Sequence, residues 1–182
     1  MKKVLVPLAP GFEEIEAVTV IDVLRRAGIE VTIAGTVAGE IKGRNGIGVA
    51  SDVPLDAVTA HPFDMIVLPG GSDGTENLKK DPRVKKILQE MERRGRYITA
   101  ICAAPTVLSA AGLLDGKNVT SHPSVEKDLP GVKYSEDRVV VDGHLVTSRS
   151  PGTAMEFAMK LVEILEGRSK MEEVNRGVLA RL

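Results

Sequence analysis

The chain has no tryptophan, and only three phenylalanines and two tyrosines among its 182 residues. A single cysteine excludes an internal disulfide and any multi-cysteine metal site, which fits a reducing compartment. The three histidines are scattered, so no metal constellation is expected and no cofactor motif is evident. Lys and Arg total 24 against 25 Asp and Glu, a formal net charge of −1, which gives no electrostatic footprint for nucleic acid or an anionic membrane. No apolar run approaches the roughly eighteen residues of a membrane span. The opening Met1 to Ala9 is charged and then apolar, but Pro7 breaks it and Gly11 ends it, so it reads as a buried first strand and not as a leader. A soluble, cytoplasmic protein forming one domain over residues 1–182 is expected.

What is present is an alternation of short apolar runs and amphipathic stretches. Lys3 to Leu8 precedes a helix from about Glu13 to Ala27; Glu30 to Ala34 follows; Met65 to Leu68 precedes a helix from about Pro82 to Arg94; Tyr97 to Ile101 precedes a helix after Cys102. Continuous apolar strands separated by helices predict α/β architecture, a mostly parallel sheet with helices on both faces. Gly39 to Ser51 reads as a hairpin or an excursion at the sheet edge. Lys133 to Ser148 reads as short strands, with a turn at Asp142-Gly143. Pro151 opens a helix in which Ala154, Phe157, Ala158, Leu161, Val162 and Leu165 share a face, and Gly167 stops it.

The cysteine, Cys102, stands where the strand Tyr97 to Ile101 meets a helix opening Ala103-Ala104-Pro105. A sharp strand-to-helix turn lifts one side chain above the sheet edge and aims N–H groups at it, the place of a nucleophile. A helix dipole contributes only about 0.3 to 1 kcal/mol, whereas bringing a thiol from about 8.5 to about 6 needs roughly 3.4 kcal/mol. Glu16 is the candidate for the difference. It lines up with Val20, Val23 and Ala27 and so prolongs an inward stripe, while Glu13 and Glu14 read as first-turn acids favoured by the dipole. A carboxyl there resists ionisation, and in its neutral form it donates a hydrogen bond to sulfur.

The loop Pro69-Gly70-Gly71-Ser72-Asp73-Gly74 lacks the spacing of a nucleotide site. Its glycines let a backbone N–H approach a reacting oxygen, so Gly71 with the amide of Ala103 is a candidate oxyanion pocket, against the alternative of a plain turn. Among the histidines, His61 and His144 read as surface residues, and His122 in Thr120-Ser121-His122-Pro123 as a candidate catalytic group with a structural role as the competing reading.

Taken together, Glu13-Glu14-Ile15-Glu16, Leu68-Pro69-Gly70-Gly71, Ala100-Ile101-Cys102-Ala103-Ala104-Pro105, Ser121-His122-Pro123 and Thr147 to Thr153 resemble the ThiJ/PfpI superfamily, and within it the branch of the Parkinson-disease protein and its bacterial relatives. The resemblance runs from the first strand to at least Gly167. It implies a flavodoxin-like sandwich, a homodimer, Cys102 as reactive cysteine, Glu16 as its protonated partner, amides from Gly71 and Ala103, and His122 near the pocket. Protease-like members carry a histidine directly after the cysteine, where this chain has Ala103, so a cysteine peptidase is demoted. Asn45 stands where human-like members carry an arginine near the dimer's anion pocket, with Arg44 beside it, while Arg26 and Arg149 match the family's pattern better. The resemblance implies a cofactor-free deglycase or glutathione-independent glyoxalase whose substrates are small reactive aldehydes or glycated side chains. The rival is a redox sensor or stress chaperone in which Cys102 is oxidised to a sulfinic acid.

Overall fold

Val4, Val6 and Leu8 of the first strand enter one hydrophobic cluster while Leu5 and Ala9 enter another. A strand apolar at every position from Val4 to Leu8 is thereby explained, because both of its faces are covered. The computed structural model describes residues 1–180. Its elements run β1 (Lys3–Leu8), α1 (Glu14–Arg26), β2 (Glu30–Gly35), β3 (Glu40–Lys42), β4 (Gly48–Ala50), β5 (Val53–Pro54), β6 (Met65–Leu68), α2 (Ser72–Lys80), α3 (Pro82–Arg93), β7 (Tyr97–Ile101), α4 (Pro105–Ala110), β8 (Asn118–Val119), β9 (Lys133–Tyr134), β10 (Val139–Asp142), β11 (Leu145–Ser148), α5 (Ala154–Glu166) and α6 (Arg168–Val178).

The seven-stranded sheet has the order β10-β11-β7-β6-β1-β2-β5, parallel throughout except for the β10–β11 hairpin. Helices α1 and α5 pack on one face, and α3 and α4 on the other. The chain moves outward from β1 through β2 to β5, then returns to lay β6 on the other flank of β1. The loops after β1 and β6 therefore diverge at one sheet edge, where open α/β sheets leave a crevice.

The predicted edge hairpin is β3–β4, and it does more than decorate the edge. Gly11 N–H donates to Lys42 O at 2.8 Å and Arg44 N–H to Phe12 O at 2.9 Å. Asn45 donates to both carboxylate oxygens of Glu14, from its backbone at 2.7 Å and from Nδ2 at 3.0 Å. Glu14 lies in the first turn of α1 and Glu13 at its N-cap, as their reading as N-terminal acids expected, and both are in addition buried. Two helices lay outside the predicted set: α2, whose sequence is polar apart from Leu78, and α6 beyond Gly167. Among the described residues no helix is long and apolar enough to cross a membrane.

Candidate active site

Three loops at the carboxyl edge meet around Cys102. The loop after β1 is tied to that after β6 by Glu13 N–H donating to Gly70 O at 2.9 Å and Gly74 N–H to Gly11 O at 3.1 Å. Gly71 has φ of 89°, and a side chain on it would meet Gly11 O at 2.3 Å, so only glycine fits.

Cys102 itself has φ of 65°, in the left-handed region that a residue with a Cβ rarely adopts. Such strain, on the order of 1–3 kcal/mol, persists only where the surroundings over-determine it. Here they do. Cys102 N–H donates to Ser148 O at 2.9 Å, and Cys102 O accepts from His122 N–H at 2.8 Å. The strand was expected to pass straight into a helix, but Cys102 to Ala104 form a turn, and α4 begins at Pro105 and spans only six residues. The N–H groups near sulfur thus come from turns, and helix dipole is a smaller part of the site than the sequence reading supposed.

Glu16, in the first turn of α1, is fully buried, and Val20, Val23 and Ala27 continue the same buried stripe. It does not bend out to solvent, as a long acidic side chain ordinarily would. Gly70 N–H donates to Glu16 Oε2 at 2.7 Å, while Oε1 is buried without a hydrogen-bond partner in the protein. A Cβ on Gly70 would lie 2.6 Å from Glu16 Oε2 and 2.7 Å from Cys102 Cβ, which shows how closely carboxyl and thiol are brought together across this glycine.

Burial raises the Glu16 pKa to about 7, against the Gly70 N–H and the Cys102 side chain, which favour its charge. With Glu16 ionised, the Cys102 thiol is pushed up to about 12, first by burial and then by the charge and hydrogen bonding of Glu16. That is opposite in direction to the depressed thiol the sequence reading expected. The amides of Gly71 and Ala103 act the other way on sulfur. The pair therefore carries at most one negative charge through the neutral range, and its titration belongs to both groups. Moving the shared proton to Glu16 abolishes the charge repulsion on sulfur and turns the Glu16 hydrogen bond from an opponent of the thiolate into its donor. A large sulfur anion also loses less hydration on burial than a carboxylate. The Gly71 and Ala103 amides, joined by a Glu16 O–H, would then favour the thiolate, against the Gly70 amide as the one hydrogen bond to the carboxylate. We propose that the reactive form has the charge on sulfur and the proton on Glu16.

Beside sulfur is a pocket of about 180 Å³, lined by Ala103, Thr75 and Thr106, by Arg44 and Lys79 at its rim, and by His122 and Ser124. Its size suits a molecule of a few heavy atoms and is below that of sites for drug-sized ligands. The structure thus brings together Cys102, Glu16, Gly71, Ala103 and His122. It does not bring together the arginines considered for an anion site. Arg26 pairs with Asp22 on the exposed side of α1 at 2.7 Å, Arg149 donates to Glu136 O at 2.8 Å, and Asn45 is committed to Glu14. Only Arg44 reaches the pocket, with Glu13 Oε2 3.6 Å from its guanidinium. Sequence reasoning missed Gly70, the residue whose amide holds Glu16, and Ser124, a hydroxyl two residues beyond a histidine and across a proline, which is a recognisable turn-capping pattern. Among the described residues, no group of three or more His, Cys, Asp or Glu is placed to hold a metal ion.

Comparison with known proteins agrees with this fold. The family model described as DJ-1/PfpI matches residues 2–164. The Drosophila melanogaster protein dj-1beta is 46% identical over 181 residues, covering 98% of this chain and 97% of that one. Its crystal structure superposes with a TM-score of 0.95 at 45% identity, covering 98% of this chain and 97% of the other. A Caenorhabditis elegans protein named glutathione-independent glyoxalase DJR-1.2 is 41% identical over 172 residues, covering 93% of this chain and 91% of its own. A flavodoxin-like α/β sheet, a cysteine held in left-handed conformation above its edge and a buried glutamate beside it, with sequence similarity over nearly the whole length, place the chain in the DJ-1/PfpI family.

Proposed function

We propose that this chain is a cofactor-free enzyme that converts small α-oxoaldehydes such as methylglyoxal to the corresponding 2-hydroxy acid, without glutathione. The observation that carries the reading is the fully buried Glu16 beside the strained Cys102, at the edge of a pocket of about 180 Å³. The name of the Caenorhabditis elegans relative supports the same substrate class.

In this mechanism the Cys102 thiolate attacks the aldehyde carbon, and the carbonyl electron pair becomes an oxyanion beside the Gly71 and Ala103 amides. Glu16 delivers its proton to that oxygen, giving a hemithioacetal and leaving Glu16 as carboxylate. The carboxylate next removes the C1 hydrogen as a proton. The C1–H electrons form the C1–C2 double bond of an enediolate whose charge rests on the former ketone oxygen, and return of the proton to C2, with passage of the C1 hydroxyl proton to that oxygen, yields the thioester of a 2-hydroxy acid. Water then cleaves the C–S bond, releasing the acid and restoring the thiol with no oxidant or reductant consumed. For methylglyoxal the sum is aldehyde plus water to lactate.

Early adducts of the same aldehydes on lysine, arginine or cysteine side chains present related carbonyl-derived carbons, but the small pocket favours the free aldehyde. A homodimer is part of the proposal, since Ile15 and Val18 are exposed on one face of α1 and the exposed Ile47 adjoins them through its N–H to Glu14 Oε1 at 3.3 Å. An apolar surface of this kind suits a second copy.

The deciding experiment is lactate formation from methylglyoxal by the purified protein in the absence of thiols. Cys102→Ser and Glu16→Ala should each lose at least about a thousandfold, the range for removing a nucleophile or an acid–base group. Equal aldehyde loss with wild type and Cys102→Ser would reduce the effect to adduct formation on surface side chains, and the redox-sensor reading would replace the enzyme. Lactate from free aldehyde but none from preformed adducts would make glyoxalase the whole activity and exclude the deglycase.

A further inference from the structure

His122 is held by more than its place beside the cysteine. Its N–H donates to Cys102 O, Pro123 fixes the chain behind it, and Val125 N–H closes the turn on His122 O at 3.1 Å. Its ring caps that turn: Ser124 N–H donates to Nδ1 at 3.2 Å, and Ser124 Oγ lies 2.8 Å from the same nitrogen. Nδ1 has one lone pair. A backbone N–H can only donate, so Nδ1 must carry the lone pair and cannot carry the proton. The Ser124 hydroxyl, able to donate or accept, then turns its hydrogen to the same lone pair.

We propose that Ser124 is a positioning residue that fixes His122 as the neutral Nε2–H tautomer, making His122 a hydrogen-bond donor to a substrate oxygen and not a proton acceptor in the pocket. The proposal rests on the reading of this pocket as a carbonyl site. Nε2, on the far side of the ring, has no hydrogen-bond partner among the described residues, and both His122 and Ser124 line the pocket that holds Cys102. The oxygens of an α-oxoaldehyde are acceptors only, so a fixed N–H matches them, whereas a bare Nε2 would repel them. For Nε2 to act as a base, the proton would have to sit on Nδ1, where it would face the Ser124 N–H and the cap would be lost. Proton removal from the hemithioacetal is thereby left to Glu16. Asymmetry between the two nitrogens thus divides the labour between the two titratable groups beside the sulfur.

The test combines long-range proton–nitrogen NMR of the His122 ring in the ligand-free protein with steady-state kinetics on methylglyoxal. Wild type should show the proton on Nε2. Ser124→Ala loses the hydroxyl contact at 2.8 Å and keeps only the backbone N–H at 3.2 Å, so the Nδ1–H tautomer should gain population, and kcat/KM should fall about fivefold, the loss of about one neutral hydrogen bond. Ser124→Thr, which keeps the hydroxyl, should restore both readouts. A proton on Nδ1 in wild type would overturn the proposal, as would a Ser124→Ala protein with unchanged tautomer and unchanged kcat/KM. Because the spectrum is taken without substrate, it decides the tautomer even if methylglyoxal proves not to be the substrate, so failure of the proposed function and failure of this inference are distinguishable.

Discussion

Replacing Glu16 by Gln should make the protein more stable and less active, by an amount that depends on pH. Glu16 is fully buried and its carboxyl is raised from 4.5 to about 7. A raised acid binds its proton more tightly folded than unfolded. Its burden on stability is therefore absent below about pH 4.5, grows as pH rises between 4.5 and 7, and is complete above 7. At 1.36 kcal/mol for each pH decade, the full burden is about 3 kcal/mol. Gln has the same shape, its Oε1 accepts the Gly70 N–H as the carboxylate does, and it does not titrate. Chemical denaturation of both proteins at a fixed protein concentration, from pH 4.5 to pH 8, should show Glu16→Gln gaining on wild type by up to about 3 kcal/mol, or roughly 6–12 °C in Tm for a domain of this size. The window belongs to the Glu16–Cys102 pair, which releases its first shared proton no later than about pH 7 whichever of the two atoms then carries the charge. Turnover should fall by about a hundredfold or more, since Gln can neither deliver nor recover a proton. A stability difference that stays flat across this range would refute the reasoning, because it would mean that the Glu16 carboxyl ionises in the folded protein as it does in water.

The remaining predictions concern sulfur and its supports. Thiolate ultraviolet absorbance should rise with a midpoint at or below about pH 7, since the shared proton leaves the pair no higher than the Glu16 value; absorbance appearing only toward about pH 12 would place the charge on the carboxylate and overturn the assignment to sulfur. Because Cys102 has φ of 65°, Cys102→Gly should be as stable as Cys102→Ala or up to about 1 kcal/mol more so, both being inactive; a glycine variant clearly less stable than alanine in thermal denaturation would argue against stored strain. Gly70→Ala places a Cβ 2.6 Å from Glu16 Oε2 and 2.7 Å from Cys102 Cβ, so it should cost about 1–3 kcal/mol in denaturant titrations and abolish turnover. Wild-type stability and activity in that variant would show that the thiol and carboxyl are not held as tightly as described.

Much of this was legible in the chain, and the parts that were not share a physical cause. Strands such as Met65 to Leu68 could be read because a strand buried on both faces must be apolar at every position. The inward direction of Glu16 followed from its register with Val20 and Val23, since helical geometry carries over from one turn to the next. Helix α2 has no such signature: its sequence is polar, and Leu78 alone anchors it in the core as a large apolar side chain. Backbone conformation was equally silent. Small residues around Cys102 suggested a sharp turn, but its left-handed φ is imposed by Ser148 and His122, residues 46 and 20 positions away in the chain. The direction of the thiol shift misled for a related reason. A helix N-terminus can be guessed from a proline and small residues, whereas desolvation by distant strands and the mutual repulsion of two buried groups exist only once the fold has closed. The chemistry of Cys102 is therefore a property of three loops held in common. A cysteine after an apolar strand becomes a nucleophile only when a glycine on the neighbouring loop lets a buried carboxyl reach it, which is why Gly70 carries as much of the site as the two residues it separates.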